Sequence, residues 1–226
     1  VTRVIWLEGL AGYVAVHALQ ERLVAAVAAG GPDVLLLLEH AETITVGRGR
    51  GAAENVLAAG EVPVVSVERG GDVTWHGPGQ LVAYPIVKLE GERRDLRGHL
   101  RRLEAAVIAL LAPLGLAAAP DPRNAGVWLP MTDGPPRKVC SVGVAVRQWV
   151  TWHGLALNVS PSLEGFARIR PCGFGAEVMT RLQDHLDPCP TVRALASPLA
   201  HRLVDALELA WDGQIDSMGL PLDPAP

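Results

Sequence analysis

At 226 residues the chain is long enough for one large domain or two small ones around a buried core. Its 49% hydrophobic and 19% charged residues read as globular rather than disordered, and a net charge of −4 excludes the basic footprint of a general nucleic-acid binder. Residues 1–8 lack a signal-peptide layout, and apolar runs such as 34–38 are far too short to cross a bilayer, so a cytoplasmic protein with no membrane or nucleic-acid partner is expected.

In chain order, Val16, Leu19, Leu23 and Val27 recur at helical spacing over 13–29, and Gly30-Gly31-Pro32 stops them. Residues 34–39, 43–46, 62–68 and 81–87 read as strands, the last two separated by a Gly-rich segment. A helix is expected over 95–113, capped by Asp95, with Leu96, Leu100, Leu103, Val107 and Leu110 along one face and Gly115 after it. Arg93, Arg97 and Arg101 fall on the opposite face, where an acidic partner could dock. Residues 126–129, 138–147 and 150–159 read as three more strands, with a loop at 130–136. Thr191 and Ser197 are placed to cap two C-terminal helices, with Pro198 in the first turn of the second. Residues 1–214 are expected to form a single domain, and 215–226 a loose, Pro-containing tail. Helices at both ends and many strands between them, without strict βαβ alternation, predict an α+β fold around a mixed, largely antiparallel sheet.

Four segments carry chemistry. In R-G-G-D-V-T-W-H-G-P-G-Q at 69–80, four glycines and a proline force an irregular backbone that a ligand can approach closely. Arg69, His76 and Gln80 supply polar groups there, and Trp75 an apolar wall. The segment is neither a P-loop nor G-x-G-x-x-G; its alternatives are a ligand-binding loop and a plain hairpin turn. In K-V-C-S-V-G at 138–143, strand alternation puts Lys138, Cys140 and Val142 on one face. A lysine opening an apolar face can activate a thiol, or simply snorkel to water. In T-W-H-G-L-A-L-N-V at 151–159, the small residues Gly154 and Ala156 leave room for an acyl chain or for a close-packed helix. In P-C-G at 171–173, Pro171 and Gly173 set Cys172 in a turn, where the Gly173 N–H could face a developing oxyanion. The three cysteines, 140, 172 and 189, are widely spaced, so neither a disulfide framework nor a metal site is expected. Cys140 is Cys172's rival, closer to Lys138 along the chain but interior to a strand.

Together these motifs, with G-R-G-R-G at 47–51, resemble the lipoate-protein ligase B family, the lipoyl(octanoyl) transferases, over about residues 5–211. The resemblance implies the biotin/lipoate protein-ligase fold, an α/β sandwich. It implies transfer of octanoyl from octanoyl-acyl carrier protein to a lysine of lipoyl domains, in the E2 subunits of 2-oxoacid dehydrogenases and in the glycine-cleavage H protein, without a cofactor. By motif, Cys172 becomes the acyl-thioester nucleophile and Lys138 its activator. The acyl pocket falls on Arg69, Gly70, Gly71, Asp72, Val73, Thr74, Trp75 and His76, on Ser141, Val142 and Gly143, and on Gly154, Leu155 and Ala156. Two positions depart from the family pattern, Cys140 where alanine is usual and Trp75 where tyrosine or phenylalanine is. The rival readings are an ATP-dependent lipoate or biotin protein ligase and a Cys-dependent acyl thioesterase.

Overall fold

The computed structural model describes residues 1–121 and 124–219, and of Cys172 the backbone alone. An eight-stranded sheet carries the fold, in the order β11-β1-β2-β6-β10-β9-β8-β7. Its strands are β1 (Arg3–Ala11), β2 (Val34–His40), β6 (Gln80–Ile86), β7 (Ala119–Asp121), β8 (Asn124–Leu129), β9 (Arg137–Arg147), β10 (Val150–Asn158) and β11 (Ile215–Met218). The β11-β1-β2 pairings are parallel and the rest antiparallel. A smaller sheet, β4-β3-β5, is built from β3 (Thr43–Val46), β4 (Val64–Ser66) and β5 (Val73–His76). This is the expected α+β architecture.

Three cores follow from residue alternation. In β2, Leu35 and Leu37 face one way, with Leu103 and Val107 of α2 (Leu96–Leu111) and Leu199 and Leu203 of α3 (Val192–Ala206). Leu36 and Leu38 face the other way, with Val16, Val24 and Val27 of α1 (Tyr13–Ala28). A strand covered on both faces has no polar positions to alternate, hence the unbroken leucine run. The third core joins the small sheet to the segment after β10 through Ile44, Val73, Trp75, Phe166 and Ile169.

The C-terminal part differs from the expectation. One helix, α3, replaces the two, with Pro198 inside it. Pro198 leaves the Ala194 carbonyl without its helical partner, but both residues lie on the exposed face, where water can satisfy it. Thr191 caps α3 as expected, accepting from the Ala194 N–H at 3.2 Å. Residues 215–218 of the expected tail form β11, parallel to β1, a strand that the sequence reading missed; residues 220–226 lie outside the described residues. No described helix is long and apolar enough to cross a membrane.

Candidate active site

A cavity of about 280 Å³ opens between the two sheets. Its wall takes in Arg69–Thr74 and His76, Ser141–Gly143 of β9, and Gly154–Ala156 of β10, with Lys138 at one side. Pro171 and Phe174, which flank the Cys172–Gly173 pair, also line it. Three motifs far apart in sequence therefore meet at one cavity, and a fourth borders it.

Trp75 is the exception. On β5 it alternates with Thr74 and His76 and turns into the third core, where it is 1% exposed and meets Phe166 edge-on at 5.2 Å. It supplies no wall to the cavity. The loop's other polar groups are largely internal braces. Arg69 donates to the Thr45 carbonyl and hydroxyl at 2.9 Å and to the Asp72 carbonyl at 2.6 Å. Asp72 accepts from Asn55 at 2.7 Å and from the Val73 N–H at 2.8 Å. Gln80 bonds the Trp75 carbonyl and Asn158. Gly47 and Gly49 lie against this loop. A Cβ on Gly49 would stand 2.7 Å from the Gly71 carbonyl oxygen, so only glycine lets the two backbones meet.

Lys138 reaches the cavity through a register shift. Between Val127 and Trp128 of β8, pairing jumps from Cys140 to Lys138, so β9 carries one extra residue, Val139, in a β-bulge. The alternation expected from sequence breaks there. Val139 and Cys140 both join the helix-side core, and Lys138 turns to the opposite face beside Trp128. Its Nζ donates to Asn124 Oδ1 at 3.0 Å and to the Ala125 carbonyl at 2.8 Å, and stands 5.2 Å from the Trp128 ring centre. A Cβ on Gly126 would stand 2.7 Å from the Lys138 Cε, so the lysine stem passes where a side chain would be.

The same shift decides what Cys140 can do. It is fully buried, and burial pushes its thiol far above the usual range despite the opposing charge of Lys138. A thiol held in its neutral form is a poor nucleophile. Cys189, partly buried, is likewise pushed up by burial and by the Asp184 charge.

The turn at Pro171–Gly173 is a single 3₁₀ turn, closed by Gly173 at φ 77°. It is tied to the frame on both sides, by Arg170 N–H to the Asn55 carbonyl at 2.8 Å and by a bridge between Met179 and Lys138. The Gly173 N–H, expected as an oxyanion donor, is committed to the Arg170 carbonyl at 3.1 Å. The Cys172 side chain lies outside what is described.

Gly154 also changes meaning. A Cβ there would collide with the Ala83 carbonyl and approach Pro85 Cδ to 2.8 Å. The glycine is required by close approach of β6, not by a space left for a ligand.

Of the polar floor of the cavity, sequence reasoning named only His76. Both tyrosines of the chain, Tyr13 and Tyr84, line it with His76 and His153. His40 braces them from behind. Its Nδ1 sits 3.0 Å from the Ala11 carbonyl, so it must carry the proton there, and Nε2 then accepts from the Tyr84 hydroxyl at 2.8 Å. Burial lowers His40 to about 4, His153 to about 3 and His76 well below its usual value, and raises Tyr13 to about 12. At neutral pH the floor is polar but uncharged. Only the scarcity of tyrosine could have flagged it.

The lipoyl protein ligase A/B catalytic domain matches residues 13–204. An octanoyltransferase of Geobacter metallireducens is 52% identical over 166 residues, spanning 73% of this chain and 75% of its own. That of Citrifermentans bemidjiense is 45% identical over 201 residues, 89% of this chain and 95% of its own. Among solved structures, a bi-partite lipoate protein ligase from Thermoplasma acidophilum superposes with a TM-score of 0.69 at 18% identity, over 96% of this chain and 87% of that one. A lipoate-protein ligase A bound with ATP gives 0.66 at 15%, over 96% and 89%. These structures share the fold; the closer sequence relatives specify the branch. The chain belongs to the octanoyltransferases, the lipoate-protein ligase B family of acyltransferases.

Proposed function

We propose that the chain takes octanoyl from octanoyl-acyl carrier protein onto Cys172 as a thioester and passes it to a lysine of a lipoyl domain. The observation that carries this reading is the Lys138 ammonium, held by two oxygens at the rim of a mainly apolar cavity that the Pro171-Cys172-Gly173 turn borders. A fixed positive charge favours the thiolate over the thiol. The cavity's volume, about 280 Å³, lies just below the roughly 300–1,000 Å³ of small-ligand pockets and suits a short acyl chain.

The Cys172 thiolate adds to the donor thioester carbonyl, and the carrier's thiolate leaves. Because the Gly173 N–H is already engaged, stabilisation of the oxyanion falls to the Lys138 charge and to donors on the 69–76 wall. The acceptor amine then attacks the Cys172 thioester, forming an amide and releasing the thiol. The amine's proton must leave; the buried imidazole of His76, whose Nδ1 has no hydrogen-bond partner, can relay it through water. An amide is more stable than a thioester, so no ATP is required. A carrier docked on Arg97 and Arg101 would lie across the sheet from the cavity, because α2 packs on the other face. Docking belongs on the cavity side instead.

Intact-mass measurement after mixing with octanoyl-acyl carrier protein should show one octanoyl adduct, labile to hydroxylamine. It should vanish in Cys172→Ser and persist in Cys140→Ser. Loss in Cys140→Ser alone would overturn the assignment. ATP–pyrophosphate exchange dependent on octanoate would instead identify an adenylating ligase.

A further inference from the structure

Three side chains distant in sequence converge beside the cavity. His17 comes from α1, Glu68 from the segment between β4 and β5, and His153 from β10. We propose that His17 Nε2, Glu68 Oε2 and His153 Nε2 form a binding site for a divalent transition cation of the zinc class. No metal was expected from the sequence, where the wide cysteine spacing was the ground; these three positions share no local spacing either.

Their ligand atoms all lie within 4.8 Å of one another. His17 Nε2 stands 2.9 Å from Glu68 Oε2, and His153 Nε2 stands 3.8 Å from the same oxygen. Bonds of about 2.0–2.1 Å in a tetrahedral shell put ligand atoms about 3.3 Å apart. The observed separations bracket that value, so small side-chain rotations close the shell. His153 supplies the second, independent sign. Its side chain is 2% exposed, yet Nε2 has no hydrogen-bond partner, an unusual state for a buried nitrogen. Its Nδ1 lies 3.5 Å from the Tyr13 hydroxyl oxygen, which can accept from a protonated Nδ1, the tautomer that leaves the Nε2 lone pair for a metal. The Trp152 ring stacks on the imidazole at 4.5 Å and fixes its plane. On the open side, His17 and Glu68 are 20% and 30% exposed, which gives the ion entry and leaves a position for water.

The donor set selects the cation. Two imidazoles and a single carboxylate suit zinc, cobalt or nickel, and are too few oxygens for calcium or magnesium. Arg69 lies close enough for its charge to be felt at His153, so net charge alone does not attract the ion. Glu68 directly precedes Arg69, so an ion here would tie α1 and β10 to the start of the loop that walls the cavity.

The test uses tag-free, chelator-treated protein carrying Cys172→Ser and Cys189→Ser, which leaves the buried Cys140 as the one thiol. Cobalt(II) titration followed by visible absorption, and zinc competition against it, read affinity and stoichiometry; Tm with and without zinc reads linkage to folding. One equivalent should bind, with a d–d band lacking sulfur charge transfer and a higher Tm. His17→Ala and Glu68→Gln, both at partly exposed positions, should each weaken binding at least tenfold while leaving the metal-free Tm within a few degrees. Affinity unchanged in both variants, or no saturable binding in the parent, overturns the site. Neither outcome bears on acyl transfer, because the nucleophile is absent from the protein titrated.

Discussion

At the scale of single residues, the chemistry depends on which groups are charged at neutral pH. In the proposed mechanism the Lys138 ammonium holds Cys172 as thiolate and stabilises the oxyanion, so Lys138→Ala should slow acyl-enzyme formation by about 10²–10³, the usual cost of losing one oxyanion donor. The pH midpoint of Cys172 alkylation by iodoacetamide should rise toward the ordinary thiol value of about 8.5 in the same variant. An unmoved midpoint would mean that Lys138 does not act through the thiol. Away from the site, His99 of α2 is 2% exposed, its Nε2 has no hydrogen-bond partner, and burial lowers it to about 4. Between pH 6.5 and 4 the unfolded chain binds the proton that folded His99 refuses, so stability is full above 6.5 and falls as pH drops through that window. The slope is about 1.4 kcal/mol per pH unit, or about 3 kcal/mol in all. His99→Leu should remove that part of the slope, read as urea unfolding at pH 7.5, 6 and 5. It should also raise stability at pH 7.5, since a buried nitrogen without a partner is lost. An unchanged slope would show that His99 is protonated in the folded chain.

At the scale of elements, glycines and one bulge set the geometry of the cavity. Gly154→Ala must push its methyl into the Ala83 carbonyl of the neighbouring strand, so it should lower stability by about 1–3 kcal/mol, as overpacking does. A chemical-denaturation midpoint equal to the parent's would show that β6 and β10 can separate without cost. This element also marks where sequence legibility ends. The motifs at 69–76, 138–143 and 154–156 were legible as a group because each carries glycines or a lysine in places that ordinary strands avoid. Their purposes were not. The small residue at Gly154 could be read as space for a ligand or for a packed helix, but the close approach it permits is to the Ala83 carbonyl, 71 residues away in the chain. The Lys138–Cys140 alternation failed for a similar reason. A bulge is a property of two strands, and the partner positions, Val127 and Trp128, give no local sign of it. The long hydrophobic helices α1 and α2 were legible because their periodicity is local. The junction at Pro198 was misread because proline marks a helix start as readily as an exposed interior position.

At the scale of the whole molecule, the first and last described strands meet at one sheet edge. β11 pairs in parallel with β1, in register Val4 to Ile215 through Leu7 to Met218, and Arg3 reaches Asp216 at 3.3 Å. Parallel pairing between segments more than 200 residues apart has no signature in either segment, and the four residues of β11 look like tail. The pairing covers β1, whose Val4, Ile5, Trp6 and Leu7 are all buried and feed both main cores. Removing residues 215–226 would leave β1 as an unprotected edge, with its backbone N–H and C=O groups free to pair with another chain. The surface ion pair is worth little, so the expected loss of stability is modest. Association is the larger effect. A chain ending at residue 214 should unfold a few degrees lower and form concentration-dependent oligomers in sedimentation velocity at concentrations where the full chain does not. In the main sheet the cavity is lined by β6, β8, β9 and β10, all at least two strands from β1, so acylation per folded monomer should match the full chain. A truncated chain that sediments like the full one would show that β11 is an accessory to the sheet and not the cover of its edge.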